Sequence, residues 1–300
     1  MHADTLHFLT SPVETRHSTR APRAHDKPDP PDPAHDRVKF VVVSDTHSHP
    51  DWTTRVPDGD VFVHCGDLTR GGTPDQLRSV YEEIAALPHR IKVVIAGNHD
   101  LGLDPSFIER HADQLRDLKT GMTATSYRQL RRMWKSREAT GRGILFLEHE
   151  FVSITVRHRH FRIFGSAWTP EFCDWAFMYP VDRDIWSPTT RPSNNGTPAA
   201  PVYDERTAKD DEDFLLVTHG PAKGILDQVV GIGSVGCPFL AEYITRIKPV
   251  AHFFGHIHEG AEIGLHQIQH KGTEQTTLSV NAALLDEKYR LAYPATVVFL

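Results

Sequence analysis

Five continuous apolar runs constrain the fold of this 300-residue chain more than any other feature. They lie within residues 38–43, 60–65, 91–96, 214–218 and 250–254, and they are short and rich in β-branched or aromatic residues. A short run without polar alternation is typical of a strand that is buried on both faces. We therefore expect a sheet whose faces are both covered by other elements.

Helical patterns separate some of these runs. In 73–87 the apolar residues Leu77, Val80 and Ile84 recur at helical spacing, and Thr73 followed by Pro74 is a typical helix start. Segments 106–118, 125–138 and 238–247 are also predicted helices, and further short strands are predicted after residue 143, the last at 261–268, 275–281 and 295–300. The pattern predicts an α/β fold: a four-layer α/β/β/α sandwich of two mixed β-sheets flanked by helices.

Two segments lack any such periodicity. Residues 1–36 are rich in Pro, His, Asp and Arg, which favours a disordered N-terminal tail. Residues 187–212 are polar and rich in proline, which favours a surface loop insertion. We expect residues 37–300 to form one domain that carries this insertion.

Composition narrows the classes of function. The formal net charge is −6 and no basic run is present, so we expect no stable nucleic-acid partner. No apolar stretch approaches the roughly 18–20 residues of a membrane span, and no signal-peptide core is visible, so we expect no membrane partner. Three cysteines without paired spacing are typical of a reducing compartment, which predicts a cytoplasmic location. The oligomeric state is not readable from the sequence.

Polar residues of metal-binding type follow each of the five apolar runs. They are Asp45 and His47; Asp67; Asn98, His99 and Asp100; His219; and His256 with His258. A lone aspartate after a strand is typical of a turn, and a lone histidine is typical of a packed core position. Five strand ends of one chemical kind instead favour a shared site, because ligands of α/β sheets gather at the carboxyl ends of the strands.

The chemistry of these side chains indicates the kind of metal. Oxygen and nitrogen donors without sulfur select divalent ions such as manganese, iron, zinc, cobalt or nickel. Seven candidate ligands, drawn from these nine residues, are too many for one tetrahedral site with an open position. They suit two ions that share a bridging carboxylate, roughly 3.5–4 Å apart, an arrangement that serves phosphoester hydrolysis. We predict two divalent metal ions, with manganese as the first choice.

The order Asp-x-His, Gly-Asp, Gly-Asn-His-Asp, His-Gly and Gly-His-x-His resembles the calcineurin-like metallophosphoesterase superfamily. The segments FGSAWTPEFCDWAF, LLVTHGPAKGILD and NAALLDEKYR are similar to its metallophosphoesterase-domain-containing subgroup, first described from fetal brain. Some members of that subgroup lack the first histidine of GHxH, which is present here as His256. The resemblance implies that one metal is held by Asp45, His47 and His258, the other by Asn98, His219 and His256, and that Asp67 bridges both.

The resemblance also assigns roles around the metals. His99 is the candidate proton donor to the leaving oxygen, and Asp100 is expected to orient His99 through a hydrogen bond. Position in the sequence, rather than the resemblance, makes two further residues candidates for substrate binding: Arg70 in GDLTRGG, for which a solvated loop position is the alternative, and Asn281 directly after a strand. A group of aromatic residues could stack a nucleobase or simply pack beneath the cleft: Trp168, Phe172, Trp175 and Phe177.

These observations predict a metal-dependent phosphodiesterase. Its partner would be a small-molecule phosphodiester, attacked by a metal-bridging hydroxide. The resemblance to the subgroup implies cyclic nucleotides as the class. One alternative is a phosphomonoesterase, protein phosphatase or nuclease of the same superfamily. A second alternative is a non-catalytic protein that binds a nucleotide or a partner.

Overall fold

The computed structural model of the protein describes residues 37–113, 123–187, 212–270 and 273–300. The predicted disordered tail, 1–36, lies outside the described residues. So does all of the predicted insertion except its two end residues.

Among the described residues, strands and helices alternate in the first part of the chain, and strands predominate after β4. The strands are β1 (Lys39–Val43), β2 (Val61–His64), β3 (Ile91–Val94), β4 (Ile144–Phe146), β5 (Glu150–Val156), β6 (Arg159–Ser166), β7 (Thr169–Pro170), β8 (Met178–Tyr179), β9 (Glu212–Thr218), β10 (Gln228–Val229), β11 (Gly233–Ser234), β12 (Ala251–Phe254), β13 (Glu262–His270), β14 (Thr273–Asn281) and β15 (Thr296–Phe299). The helices are α1 (Pro74–Ala86), α2 (Pro105–Arg110), α3 (Ala124–Trp134), α4 (Arg137–Gly141) and α5 (Pro238–Ile247).

Two mixed sheets form the centre of the fold. The first has the strand order β15-β1-β2-β3-β4, in which β1 to β4 are parallel and β15 is antiparallel to β1. The second has the order β13-β14-β12-β9-β6-β5, with β14, β12, β9 and β6 parallel and an antiparallel strand at each edge. The chain thus ends by returning β15 to the first sheet, a connection that the sequence pattern does not reveal.

Three apolar layers explain why the strands carry apolar residues on both faces. The layer between the two sheets includes Val42, Val63 and Phe253. The opposite face of the first sheet packs on α1 and α3, and the opposite face of the second sheet packs on α5. The predicted four-layer α/β/β/α sandwich is therefore confirmed.

Local signals at helix ends account for most of the helix boundaries. Thr73 and Gln76 form a reciprocal capping box at the start of α1, as the sequence predicts. The helix predicted at 125–138 is instead two helices, because the Ser136 side chain accepts a hydrogen bond from the Ala139 backbone and starts α4. The helix predicted at 106–118 is described only as far as α2, and residues 114–122 lie outside the described part. No described helix combines the length and the apolar character that crossing a bilayer requires.

Candidate metal centre

The seven predicted ligands meet where the two sheets come together. Asp45, Asp67 and Asn98 follow the carboxyl ends of β1, β2 and β3 in the first sheet. His219 follows β9 in the second sheet, and the GHxH histidines follow β12. All seven except His256, which is partly exposed, are buried. The convergence follows from the parallel strands, whose carboxyl ends point to one edge.

Asp45, His47 and His258 form the first cluster. His258 Nε2 lies 3.4 Å from Asp45 Oδ1 and 3.4 Å from His47 Nε2. Asp45 Oδ1 is buried and has no hydrogen bond of normal geometry. A buried carboxylate oxygen without such a partner, facing two imidazole nitrogens, fits the donor set of a divalent metal ion.

Asp67, His219 and His256 form the second cluster. His219 Nε2 lies 3.3 Å from Asp67 Oδ1 and 2.9 Å from Asn98 Oδ1. The rings of His219 and His256 are 4.9 Å apart between centroids. Asn98 therefore joins this cluster, as the sequence interpretation has it.

Asp67 contacts both clusters. Its Oδ2 lies 3.5 Å from His47 Nε2, and its Oδ1 lies 3.3 Å from His219 Nε2. Each carboxylate oxygen thus faces a different group of histidines. This is the geometry that a carboxylate bridging two ions requires.

Backbone carbonyls orient two of the histidines. His219 Nδ1 donates to the carbonyl of Cys65 at 2.9 Å, and His258 Nδ1 donates to the carbonyl of Asp286 at 2.9 Å. Because a carbonyl can only accept, Nδ1 carries the hydrogen in both rings. Nε2 is then the atom that each ring presents to its cluster, as in most histidine metal ligands.

The backbone adopts costly conformations at these strand ends. Asp45, His47, Asp67 and His256 have φ values of 54°, 43°, 52° and 71°, in the left-handed region. Each such residue costs on the order of 1 kcal/mol and is retained only where the surrounding structure requires it. Gly97 is required for a different reason, since a Cβ there would overlap the backbone and carboxylate of Asp67.

The four histidines of the clusters fall into two groups, one with a raised pKa and one with a lowered pKa. Burial opposes a charge on His219, but Asp67 and Asp45 raise its pKa to about 9. Burial also opposes a charge on His258, but the close contact of its Nε2 with the Asp45 carboxylate raises its pKa to about 9. Burial lowers the pKa of His47 and of His256 to about 4. The site therefore favours positive charge beside each aspartate, which fits two bound cations.

His99 lies beside the clusters, and one of its two ring nitrogens is hydrogen-bonded within the protein. Its backbone N–H donates to Asp67 Oδ1 at 2.8 Å, and its Nδ1 donates to the carbonyl of Arg70 at 3.0 Å. Nε2 is left to exchange a proton with a ligand. The indole of Trp175 and the ring of His47 pack on the same imidazole, with centroids 4.2 Å and 4.7 Å away.

Asp100 differs from the sequence expectation, which paired it with His99. Its fully buried carboxylate accepts hydrogen bonds from the backbone of Leu68, Thr69 and Gly97, and from the Thr69 hydroxyl. Burial and the charge of Asp67 raise its pKa to about 6. Asp100 thus braces the loop that carries Asp67, and the Arg70 carbonyl holds His99 instead.

The two predicted substrate-binding residues occupy different environments. Arg70 is exposed beside the clusters, with its guanidinium carbon 5.6 Å from the centroid of the Tyr289 ring. Asn281 is buried, donates from Nδ2 to the carbonyl of Ile257 at 2.8 Å and accepts from the Ala283 backbone at 3.3 Å. Both polar groups of Asn281 therefore make contacts that brace the GHxH loop, and the substrate-binding role of this residue stays a prediction.

The predicted aromatic group divides in the structure. Phe177 is buried and Trp168 packs edge-on against it, whereas Phe172 is exposed. Trp175 contacts His99. Tyr289, to which sequence reasoning gave no role, places its ring 4.9 Å from that of His47 and 5.4 Å from that of His258. The only sequence signal for Tyr289 is its place in NAALLDEKYR, one of the segments that carry the resemblance.

Comparison with known proteins agrees with this geometry. A family model described as calcineurin-like phosphoesterase matches residues 38–260. Metallophosphoesterase domain-containing protein 1 of Homo sapiens is 31% identical over 279 residues, which cover 92% of this chain and 74% of that protein. UPF0046 protein K07C11.7 of Caenorhabditis elegans is 31% identical over 231 residues, which cover 77% of this chain and 67% of that protein. One solved structure shares the fold with a TM-score of 0.51 at 13% identity, covering 88% of this chain and 98% of the other.

The chain therefore belongs to the calcineurin-like metallophosphoesterase family, in the metallophosphoesterase-domain-containing subgroup. Members of this family hydrolyse phosphoesters with a dinuclear divalent metal site, and this protein is a phosphoester hydrolase of that kind. The two clusters that share Asp67 are its candidate metal site.

Proposed function

We propose that the protein is a metal-dependent phosphodiesterase that hydrolyses small phosphodiesters, with cyclic nucleotides as the candidate class. The observation that carries the proposal is the position of Asp67 between the two clusters, 3.5 Å from His47 Nε2 and 3.3 Å from His219 Nε2. A shared carboxylate of this kind supports a paired-metal site. Paired-metal sites serve in-line displacement at phosphorus.

In this proposal each cluster holds one cation. The first would be held by Asp45, His47 and His258, the second by Asn98, His219 and His256, and Asp67 would serve both. When bound, two divalent cations polarise phosphoryl oxygens and lower the pKa of a water molecule towards neutrality. Manganese is the first candidate, and iron, zinc, cobalt and nickel suit the same nitrogen and oxygen donors.

His99 is proposed to give a proton to the leaving oxygen. Its Nδ1 is fixed by the Arg70 carbonyl, so Nε2 is the nitrogen that can carry and release that proton. Trp175 limits the rotation of the same ring. The protein thus holds the proton donor in one orientation while the phosphoryl group is bound beside it.

The net charge and the cysteines bear on the substrate and on the location of the protein. A formal net charge of −6 disfavours a nuclease, which would need a basic approach surface, and favours a small substrate. The three cysteines are unpaired in the structure, which supports the proposed cytoplasmic location.

The decisive experiment compares two chromogenic substrates. Protein stripped of metal by a chelator and reloaded with Mn²⁺ is assayed with bis-p-nitrophenyl phosphate and with p-nitrophenyl phosphate. Metal-dependent release from the diester supports the proposal and leads to assays with 2′,3′- and 3′,5′-cyclic nucleotides. Release mainly from the monoester favours a phosphomonoesterase, and no release from metal-loaded protein favours a binding protein.

A further inference from the structure

Arg70 lies against Tyr289, whose ring stands beside two candidate ligands of the first cluster, and neither Arg70 nor Tyr289 is a ligand. The guanidinium carbon of Arg70 is 5.6 Å from the centroid of the Tyr289 ring, within cation–π range. That ring is 4.9 Å from the ring of His47 and 5.4 Å from the ring of His258. The ligands are buried while Arg70 and Tyr289 are exposed, so this pair marks the mouth of the site.

Arg70 brings an uncompensated positive charge to this mouth. Within the described parts of the chain, no carboxylate lies at ion-pair distance from its guanidinium. An exposed, unpaired guanidinium beside a phosphoester site suits an anionic phosphoryl oxygen, because its planar donors match that geometry. Its backbone carbonyl accepts the hydrogen bond from His99, which fixes the main chain of Arg70 at the site.

Tyr289 is held firmly enough to support another side chain. Its backbone N–H donates at 2.9 Å to the carbonyl of Asp286, the same carbonyl that accepts from His258 Nδ1. The Asp286 carboxylate accepts from Arg290 Nε at 2.7 Å and closes this turn. Tyr289 has a φ of 58°, which is costly for a residue with a side chain. The turn thus aims the Tyr289 ring at the first cluster and ties it to a ligand.

We propose that Tyr289 is a positioning residue that seats the Arg70 guanidinium at the site mouth, where Arg70 binds an anionic oxygen of the phosphoryl group. The ligand class is a phosphate ester, or phosphate itself, with at least one charged oxygen that the metal ions leave free. The inference rests on the proposed function, because it concerns substrate binding at the same site.

Binding of inorganic phosphate to the metal-loaded protein tests this without requiring turnover. Isothermal titration calorimetry is performed on the wild type and on Arg70→Met, Tyr289→Phe, Tyr289→Leu and the Arg70→Met/Tyr289→Leu double variant. We expect Arg70→Met to weaken binding about tenfold, the loss expected for one charge-assisted contact. Tyr289→Leu should weaken it about fivefold, and Tyr289→Phe by no more than about twofold, because phenylalanine keeps the aromatic face.

The double variant separates positioning from direct contact. If Tyr289 acts only through Arg70, the double variant binds phosphate as weakly as Arg70→Met and no more weakly. Wild-type affinity in Tyr289→Leu, or a further fivefold loss in the double variant, would overturn the inference. Equal losses in Tyr289→Phe and Tyr289→Leu would overturn it as well, because the hydroxyl would then be the contact.

Three controls keep the outcomes distinct. Metal content and melting temperature are measured for every variant, and Tyr289→Met replaces Tyr289→Leu if the leucine variant loses metal or fold. Phosphate binding as predicted, without hydrolysis of any diester, would refute the proposed function and uphold the seating of Arg70. Diester hydrolysis together with a phosphate affinity that Tyr289→Leu leaves unchanged would uphold the proposed function and refute the seating of Arg70.

Discussion

The indole of Trp175 lies against the imidazole of His99, with ring centroids 4.2 Å apart and ring planes inclined by 31°. The next residue, Ala176, donates its backbone N–H to the carbonyl of Asn98 at 3.2 Å. The loop of Trp175 is therefore joined to the loop of His99 by a hydrogen bond and by a ring contact. Because rings packed this closely restrict each other, the orientation of His99 depends on Trp175.

His99→Ala should slow diester hydrolysis while both metals remain bound. A general acid contributes about 10²- to 10⁴-fold, and most of that is needed when the leaving alcohol is weakly acidic. We expect the loss in kcat to be small for p-nitrophenyl esters and large for alkyl esters. The measurement is kcat across a series of leaving groups, with metal content as the control. An equal loss for every leaving group would contradict the proton-donor role.

Trp175→Ala should reproduce the same dependence on the leaving group at a smaller size. We expect about a tenfold loss with alkyl leaving groups, because a misplaced acid still acts part of the time. Trp175→Phe should restore most of the rate, and Phe172→Ala serves as the matched control because Phe172 lies on the same loop but is 76% exposed. In a His99→Ala background, Trp175→Ala should have no further effect on the rate. An additive loss there would show that Trp175 does not act through His99.

Asp67→Ala should abolish binding of both metals together with turnover. The variant removes the two oxygens that face His47 and His219, so the second cluster loses its carboxylate and the first keeps only that of Asp45. Metal content is measured by atomic emission, and Asp51→Ala, a change at an exposed position, is the control. Retention of two metals and a normal rate would rule out the bridging role.

Metal affinity should rise steeply with pH. His219 and His258 each have a pKa raised to about 9, so a metal ion must displace a proton from each ring below that pH. The dissociation constant for each metal should fall by up to about tenfold per pH unit from 6.5 to 9 and then level off. Calorimetric titration with Mn²⁺ in buffers of different ionisation enthalpy measures both the affinity and the protons released. A flat profile over this range would contradict the raised pKa values.

The stability of chelator-treated protein should change in the opposite direction. The pKa of each of these two histidines lies above the ordinary 6.5, so their contribution to folding is fully present below pH 6.5. That contribution is lost as the pH rises through about 9. The melting temperature of chelator-treated protein should therefore fall from pH 6.5 to 9, whereas that of the metal-loaded protein should fall less.

Asn281→Ala should lower the stability of the fold and leave substrate recognition unchanged. The change removes one of the two hydrogen bonds to the carbonyl of Ile257, which keeps that from the Gly260 N–H, at a cost of about 0.5–1.5 kcal/mol. We expect a lower melting temperature and weaker metal binding, because Ile257 lies between the two GHxH histidines. KM for a diester, measured at saturating metal, should be unchanged. A large rise in KM with normal stability would show that Asn281 contributes to substrate binding.

The sequence predicts most of the sandwich, and the convergence of the seven candidate ligands, for a physical reason. Strands buried on both faces require continuous apolar runs, and polar residues directly after such runs are conspicuous. This pattern is enough to assign His219 and His256 to one site, although 36 residues separate them in the chain. The parallel order of the strands then places them at one edge, as the structure shows.

The sequence could not predict features that depend on orientation within a loop. Asn281 follows a strand as the ligands do, and only the folded chain shows that its amide turns to Ile257. Asp100 stands beside His99 in the chain, yet its side chain points to the loop of Asp67. Phe172 and Trp175 are equivalent aromatic residues in an irregular segment, where no periodicity distinguishes the exposed ring from the one that touches His99.

The metal centre takes its candidate ligands from two sheets that pack on each other through an apolar layer. Asp45 on one sheet and His258 on the other approach to 3.4 Å, and the His256 backbone N–H donates to Asp45 at 2.9 Å. Sliding one sheet over the other by about 1 Å would disturb these contacts enough to impair catalysis. The packed side chains between the sheets, which include Val42 and Val63, therefore set the distance between the two halves of the active centre. A change in their volume would change the separation of the candidate ligands.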